Sequence, residues 1–240
     1  MSAHSLPQLS PTAARCIEAY GGESTWRSAS AVEATVSSGG FALRSKLRRG
    51  LRSARVRVDL ASPSVSVVPA DRHGNTGIFD DSDVRVETAA GDILRSRPDP
   101  RRLFPGGRRL LWWDDLDEMY FGGFALWNYL AFPALLLRDD IDWHEVQSGT
   151  LEAVFPRHLP THCERQRFHI DMATGLLRQH DYTAEVFGNW AKAAHVVLEH
   201  ETSGGVPFPS RRRVTPRRGD GTPRRLPVLV WIEVRGWRLC

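Results

Sequence analysis

From Met119 to Leu137 the chain runs nineteen residues without a charge (MYFGGFALWNYLAFPALLL), although a quarter of all its residues are Asp, Glu, Lys or Arg. Asp114, Asp115, Asp117 and Glu118 precede this stretch and Arg138, Asp139 and Asp140 follow it. About 20 apolar residues suffice to cross a bilayer. Here Gly122-Gly123 and Pro133 interrupt the run and Asn128 sets an amide near its middle. The flanks also lack the Lys/Arg excess that orients a spanning helix. The segment is therefore expected as a helix that a fold must cover, with Asp114 or Asp115 as N-cap and Asp117 and Glu118 at the positive end of its dipole.

Around it the periodicity is two. Val32, Ala34 and Val36 alternate with Glu33 and Thr35, Phe41, Leu43 and Leu47 with Arg44, Lys46 and Arg48, and Val56 and Val58 with Arg55 and Arg57. Such alternation marks half-buried antiparallel strands. Further strands are expected over 64–68, 76–79, 84–88, 143–147, 151–155, 164–171, 176–186, 193–201, 208–215 and 228–234. Ser10 and Pro11 open an N-terminal helix that Gly21-Gly22 closes. The expected class is mainly β with inserted helices: one curved antiparallel sheet of roughly ten strands, or an unclosed barrel, in a single domain over 1–240. Its N-terminal helix spans 10–22, and a lid insertion spans 98–140.

The net charge of +4 is almost wholly arginine, since Lys46 and Lys192 are the only lysines. The arginines are spread along strands rather than gathered with aromatics on one helix or patch, so no nucleic-acid partner is expected. Cys16, Cys163 and Cys240 are isolated, which suits a reducing compartment better than a disulfide framework. The first twenty residues show neither a basic n-region nor an apolar h-region, so a cytoplasmic protein without signal peptide is expected.

The order of elements resembles a known architecture. Tyr20-Gly21-Gly22 ends the first helix, Trp26 follows, Gly39-Gly40 turns between two strands, and helical elements are inserted mid-chain. This layout is similar to the superfold of the bacterial lipoprotein carriers (LolA/LolB-like), and the resemblance implies an unclosed β-barrel whose helices cover an apolar cavity. The chain also resembles a set of bacterial proteins of unassigned activity that carry Trp113-Asp114-Asp115-Leu116-Asp117, Trp127-Asn128-Tyr129-Leu130 and Asp181-Tyr182-Thr183-Ala184 in this order.

Candidate site residues follow from where such a cavity would lie. Trp112, Trp113, Tyr120, Phe124 and Trp127 are expected to line it, or else to fill the core. If Phe168 and Leu176 mark the inner face of their strands, His180 and Tyr182 point inward beside Gln166, with His195 on the next strand. Arg211 and Arg213 share a face and suit an acidic end of a ligand, because guanidinium pairs bidentately with carboxylate or phosphate. The leading expectation is binding of a lipid-like or other apolar small molecule. The alternative is an isomerase, cyclase or hydrolase using His180, Tyr182, Asp115 and Asp117 as acids and bases. A third reading is peripheral membrane contact through the aromatic helix. Among His162, His169, His180, His195 and His200 no pair has H-x-x-x-H or H-x-H spacing, so neither metal nor cofactor is expected.

Overall fold

The computed structural model describes residues 9–81 and 83–240. The leader-free reading of the N-terminus therefore falls partly on residues 1–8, outside the described residues. The helix α1 (Pro11–Ala19) carries Ser10 as its cap, with Ala13 N–H donating to the Ser10 hydroxyl at 3.3 Å. It ends at Gly21 and Gly22, both at positive φ, and Gly22 N–H donates back to the Ile17 carbonyl at 3.0 Å. A short α2 (Glu23–Ser28) follows, burying Trp26.

The described residues then form one antiparallel sheet of thirteen strands. The strands are β1 (Ala31–Gly39), β2 (Ala54–Asp59), β3 (Ser64–Val68), β4 (Thr76–Asp80), β5 (Asp83–Glu87), β6 (Ile93–Arg97), β7 (Asp142–Gln147), β8 (Thr150–Val154), β9 (Arg165–Ile170), β10 (Leu177–Thr183), β11 (Lys192–Ser203), β12 (Val206–Pro216) and β13 (Val230–Leu239). Their order is β6-β5-β4-β3-β2-β1-β13-β12-β11-β10-β9-β8-β7. Each strand beside its sequence neighbour makes a meander, and the pairing of β1 with β13 joins the two ends of the chain. The edges β6 and β7 stay apart, so the barrel is unclosed.

Residues 98–141 carry the chain from one edge to the other, and α4 (Asp115–Leu130) lies along this path against β2 through β6. Leu116, Asp117 and nearly every residue of the helix from Met119 on are buried. No helix among the described residues is long and apolar enough to cross a membrane. Asn128, the amide amid this apolar run, donates to the Phe124 carbonyl and accepts from the Thr161 hydroxyl at 2.9 Å, which ties the helix to the loop before β9.

Two sequence expectations need correction. Residues 41–47 do not form a strand. Phe41–Arg44 is a helical turn, α3, and Leu47 sits at φ 61°. Gly40, at φ 134°, passes so close to Leu229 that an added Cβ would lie 2.3 Å from its carbonyl oxygen, and the chain leaves the ladder there. Conversely β6 was not foreseen, because an edge strand with Ile93, Leu94 and Arg95 all exposed carries no amphipathic alternation.

The glycine pair in α4 is not a break. A Cβ at Gly123 would stand 2.4 Å from Cβ and Cγ of Phe79, so this residue lets helix and β4 touch. At Gly122 nothing lies within 4 Å. Alanine ordinarily stabilises a helix interior over glycine by about 1 kcal/mol. Gly122→Ala is expected to gain roughly that amount, whereas Gly123→Ala is expected to lose about 1–3 kcal/mol by overpacking. Equal denaturation midpoints for the two variants would contradict this assignment of the faces.

Candidate ligand cavity

The face of α4 that carries Asp115, Glu118, Met119, Gly122, Ala125, Leu126 and Tyr129 follows helical spacing of three and four residues. Met119 touches the sheet at Gly77 of β4, and beyond that contact the face stands off the strands. Between it and Val67 of β3, Val86 of β5 and Ile232 of β13 lies a cavity of about 510 Å³. The walls narrow to smaller side chains at Gly122 and Ala125, which is why the space exists. The inner part is apolar. The mouth is bordered by Arg48, Arg49, Arg52, Asp71, Arg72, Asp115 and Glu118, from the loop after α3, the β3–β4 loop and the first turns of α4.

The carboxylates at the mouth are engaged. Arg48 pairs with Asp115 at 2.6 Å and Glu118 at 2.5 Å, and Arg95 reaches Asp115 at 2.8 Å. Asp117 points away from the cavity and is fully buried, receiving Arg97 and Arg108 at 2.6 Å and Arg109 at 2.7 Å. Asp114 caps the helix, with Asp117 N–H donating to it at 2.8 Å. Partial burial would raise the Asp114 pKa, but hydrogen bonds from Arg97 and that N–H hold it well below the usual carboxylate range.

Of the aromatic candidates, Tyr120, Phe124 and Trp127 occupy the opposite face of α4, and Trp112 and Trp113 precede the helix. Trp113 is buried among Phe104, Phe121 and Phe187, and Tyr120 among Phe79, Phe104 and Phe124. Phe124 meets the His162 ring edge-on at 5.1 Å, and Trp127 donates its indole N–H to the Asp59 carbonyl at 3.1 Å. Trp112 is 42% exposed under the Arg108 guanidinium. None of these five borders the cavity. Among aromatics it is Phe121 and Tyr129 that do so.

Behind Tyr129 lies a buried polar cluster. The structure brings together His180, Tyr182, Gln166, Phe168 and His195, and adds His162 and Tyr129. A bulge in β10 between Leu177 and Gln179 sets Leu177, His180 and Tyr182 inward and leaves Arg178 outside. His180 Nε2 donates to Gln166 Oε1 at 2.6 Å, and its ring stacks on Phe168 with centroids 4.1 Å apart. Tyr129 shares its hydroxyl with Tyr182 at 2.7 Å and with His162 Nε2 at 2.8 Å. The His195 ring stands edge-on to Tyr129 at 4.2 Å, with both nitrogens lacking a hydrogen-bond partner among the described residues. Burial drives His162, His180 and His195 well below the ordinary histidine pKa, assisted at the last two by the Arg212 charge. Burial likewise pushes Tyr182 well above the ordinary tyrosine value. At neutral pH this cluster is therefore uncharged apart from Arg212.

The inward arginine of β12 is Arg212, not Arg211 or Arg213. The buried residues Phe208, Ser210, Arg212 and Val214 alternate along one face. Arg211 lies on the outer face, paired with Glu199, and Arg213 is exposed. Arg212 is 4% exposed and donates to the Tyr129 carbonyl at 3.1 Å. His200, five residues after His195 on β11 and separated from it by two register shifts, is hydrogen-bonded to the Tyr20 hydroxyl at 3.0 Å. Among the described residues no group of three or more His, Cys, Asp or Glu side chains is arranged to hold a metal ion.

No protein-family model matches the chain, and no curated protein matches it. Solved structures do. A LolA superfamily protein from Nitrosomonas europaea superposes with a TM-score of 0.50 at 9% identity, covering 97% of this chain and 94% of its own. A domain described as an outer membrane lipoprotein-sorting protein, from Vibrio parahaemolyticus, gives a TM-score of 0.52 at 11% identity, covering 95% and 90%. The chain thus has the LolA-like fold, an unclosed antiparallel barrel around a central helix.

Proposed function

We propose that this protein binds a lipid-like or other apolar small molecule between α4 and the sheet. The observation that carries the reading is the cavity of about 510 Å³ with apolar inner walls, well within the range of small-molecule sites. The lipoprotein-sorting role given to the Vibrio neighbour agrees with an apolar cargo. Of the four residues considered as acids and bases, only Asp115 borders this space, and two arginines hold it. His180 and Tyr182 stand behind Tyr129, which favours binding over catalysis.

The surroundings of the mouth support contact with a membrane surface. Leu47 (79% exposed), Leu110, Leu111 and Trp112 protrude there beside the exposed Arg49, Arg52 and Arg72. Lys46 joins the two segments by donating to the Leu110 carbonyl at 2.6 Å. All three cysteines are free thiols, in keeping with a reducing compartment.

Native mass spectrometry of the purified protein, followed by denaturing extraction, tests the reading. An apolar molecule at near one-to-one stoichiometry is expected. Ala125→Trp, which fills the cavity from its α4 wall, should lose it while keeping the wild-type circular dichroism. A wild-type protein that is empty and takes up no long-chain lipid on incubation would overturn the proposal.

A further inference from the structure

Arg212 is a buried cation without an anion. It pairs with no carboxylate among the described residues, Nε has no hydrogen-bond partner, and the Tyr129 carbonyl is its one acceptor in hydrogen-bond range. Lys46 also lacks a carboxylate, but it lies at the protein edge, where it donates to the Leu110 carbonyl. A guanidinium taken out of water without a counter-charge loses its hydration and regains little. Burial pulls its pKa down to about 10, which still leaves it charged at neutral pH.

Its position relates it to the cavity. Arg212 faces Ile232 across the β12–β13 ladder, and Ile232 is a cavity wall. Its guanidinium lies 5.6 Å from the ring centre of Tyr129, which borders the cavity on one side and the narrow space around Arg212 on the other. Two other groups of this inner face have unused hydrogen-bonding capacity. The Ser210 hydroxyl, two residues before Arg212 on the same strand face, has no partner among the described residues. Among those residues neither nitrogen of His195, diagonal to Arg212 across the β11–β12 ladder, has one either. Unused donor capacity on Arg212 Nε, the Ser210 hydroxyl and the His195 ring converges here.

Building on the cavity reading, we infer that the ligand is a long-chain carboxylic acid held head-inward, its carboxylate on Arg212 and its chain in the apolar cavity. The charge balance selects a carboxylate. The surrounding histidines and tyrosines are neutral, so one guanidinium offers a single positive charge, which a carboxylate matches and a phosphate monoester exceeds. The exposed arginines of the mouth exert no comparable demand, because water already solvates them. Tyr129 is the partition, and its ring moves aside as the head enters.

The test compares hexadecanoic acid with hexadecan-1-ol, binding of each to wild type and to Arg212→Met being measured by displacement of a fluorescent fatty-acid probe. Wild type is expected to prefer the acid at least tenfold, and Arg212→Met to bind both alike. The ligand-free Arg212→Met protein should be at least as stable as wild type, since it buries no unpaired charge. An unchanged acid preference in the variant would overturn the role of Arg212. Equal binding of both compounds to wild type would overturn the head-inward acid and leave the cavity reading standing. That comparison needs no variant to fold. Binding of neither compound would overturn both readings.

Discussion

Between pH 7 and pH 5 the protein is expected to lose on the order of 5 kcal/mol of folding stability, mostly from three histidines. His162, His180 and His195 are buried, and desolvation holds each far below its unfolded value of about 6.5. The unfolded chain takes up these protons as pH falls through that value, while the folded chain does not. Stability from these groups is thus complete above about pH 6.5 and is lost as pH falls from there toward the depressed folded values. Each proton taken up only by the unfolded chain costs about 1.4 kcal/mol per pH unit, so three approach about 4 kcal/mol per unit near pH 5. His200, lowered to about 4 by burial and the Arg212 charge, adds in the same direction. Denaturant midpoints measured from pH 8 to pH 5 give the slope directly. His195→Phe isolates one group, because neither ring nitrogen has a partner to lose and an edge contact with Tyr129 can persist. That variant should flatten the slope by about one proton and be more stable than wild type at pH 5. A wild-type midpoint that stays level from pH 7 to pH 5 would show that the cluster opens to water and titrates freely.

Most strands and the central helix were legible because each rests on a local pattern. Alternation at Val32–Val36 and Val56–Val58, the Ser10–Pro11 cap and the uncharged run after Glu118 all survive as β1, β2, α1 and α4. The site was harder to read, for three reasons. Aromatic residues draw attention in a sequence, yet large rings fill space. The cavity lies along the other face of α4, at Met119, Gly122, Ala125 and Leu126; the spacing was available, but the small size of Gly122 and Ala125 argued for nothing by itself. Strand parity decides which arginine of Arg211-Arg212-Arg213 faces in, and the signal was present in Phe208 and Val214, which share Arg212's parity. Bulges cannot be read from periodicity at all. The one in β10 puts Leu177 instead of Leu176 on the face of His180 and turns Arg178 out, and those in β11 re-aim His200; only the paired strand shows where each shift falls.

The first turn of α4 makes the second large prediction. Three guanidinium groups from Arg97 on β6 and from Arg108 and Arg109 on the preceding turn converge on Asp117, whose side chain is fully buried. Asp117 also closes a reciprocal capping box, accepting the Asp114 backbone N–H at 3.2 Å. Removing one buried partner of such a network leaves uncompensated charge and is expected to cost about 3–5 kcal/mol. In a domain of this size that lowers Tm by roughly 10 °C or more. Asp117→Asn keeps the shape and removes the charge, so it should fall nearly as far as Asp117→Ala if electrostatics dominate. Asp115→Ala provides the contrast. Its carboxylate lies at the cavity mouth, partly in water, where its bridges to Arg48 and Arg95 are expected to be worth no more than about 1 kcal/mol. Thermal melts of the three variants decide the matter, and losses of similar size at positions 115 and 117 would mean that the buried network is not what fixes the helix. The distinction bears on the cavity. Glu118 and Met119 follow Asp117 directly and form part of its wall, so loosening this turn also loosens the mouth, and Asp117 variants should release a bound chain faster even at temperatures where they remain folded.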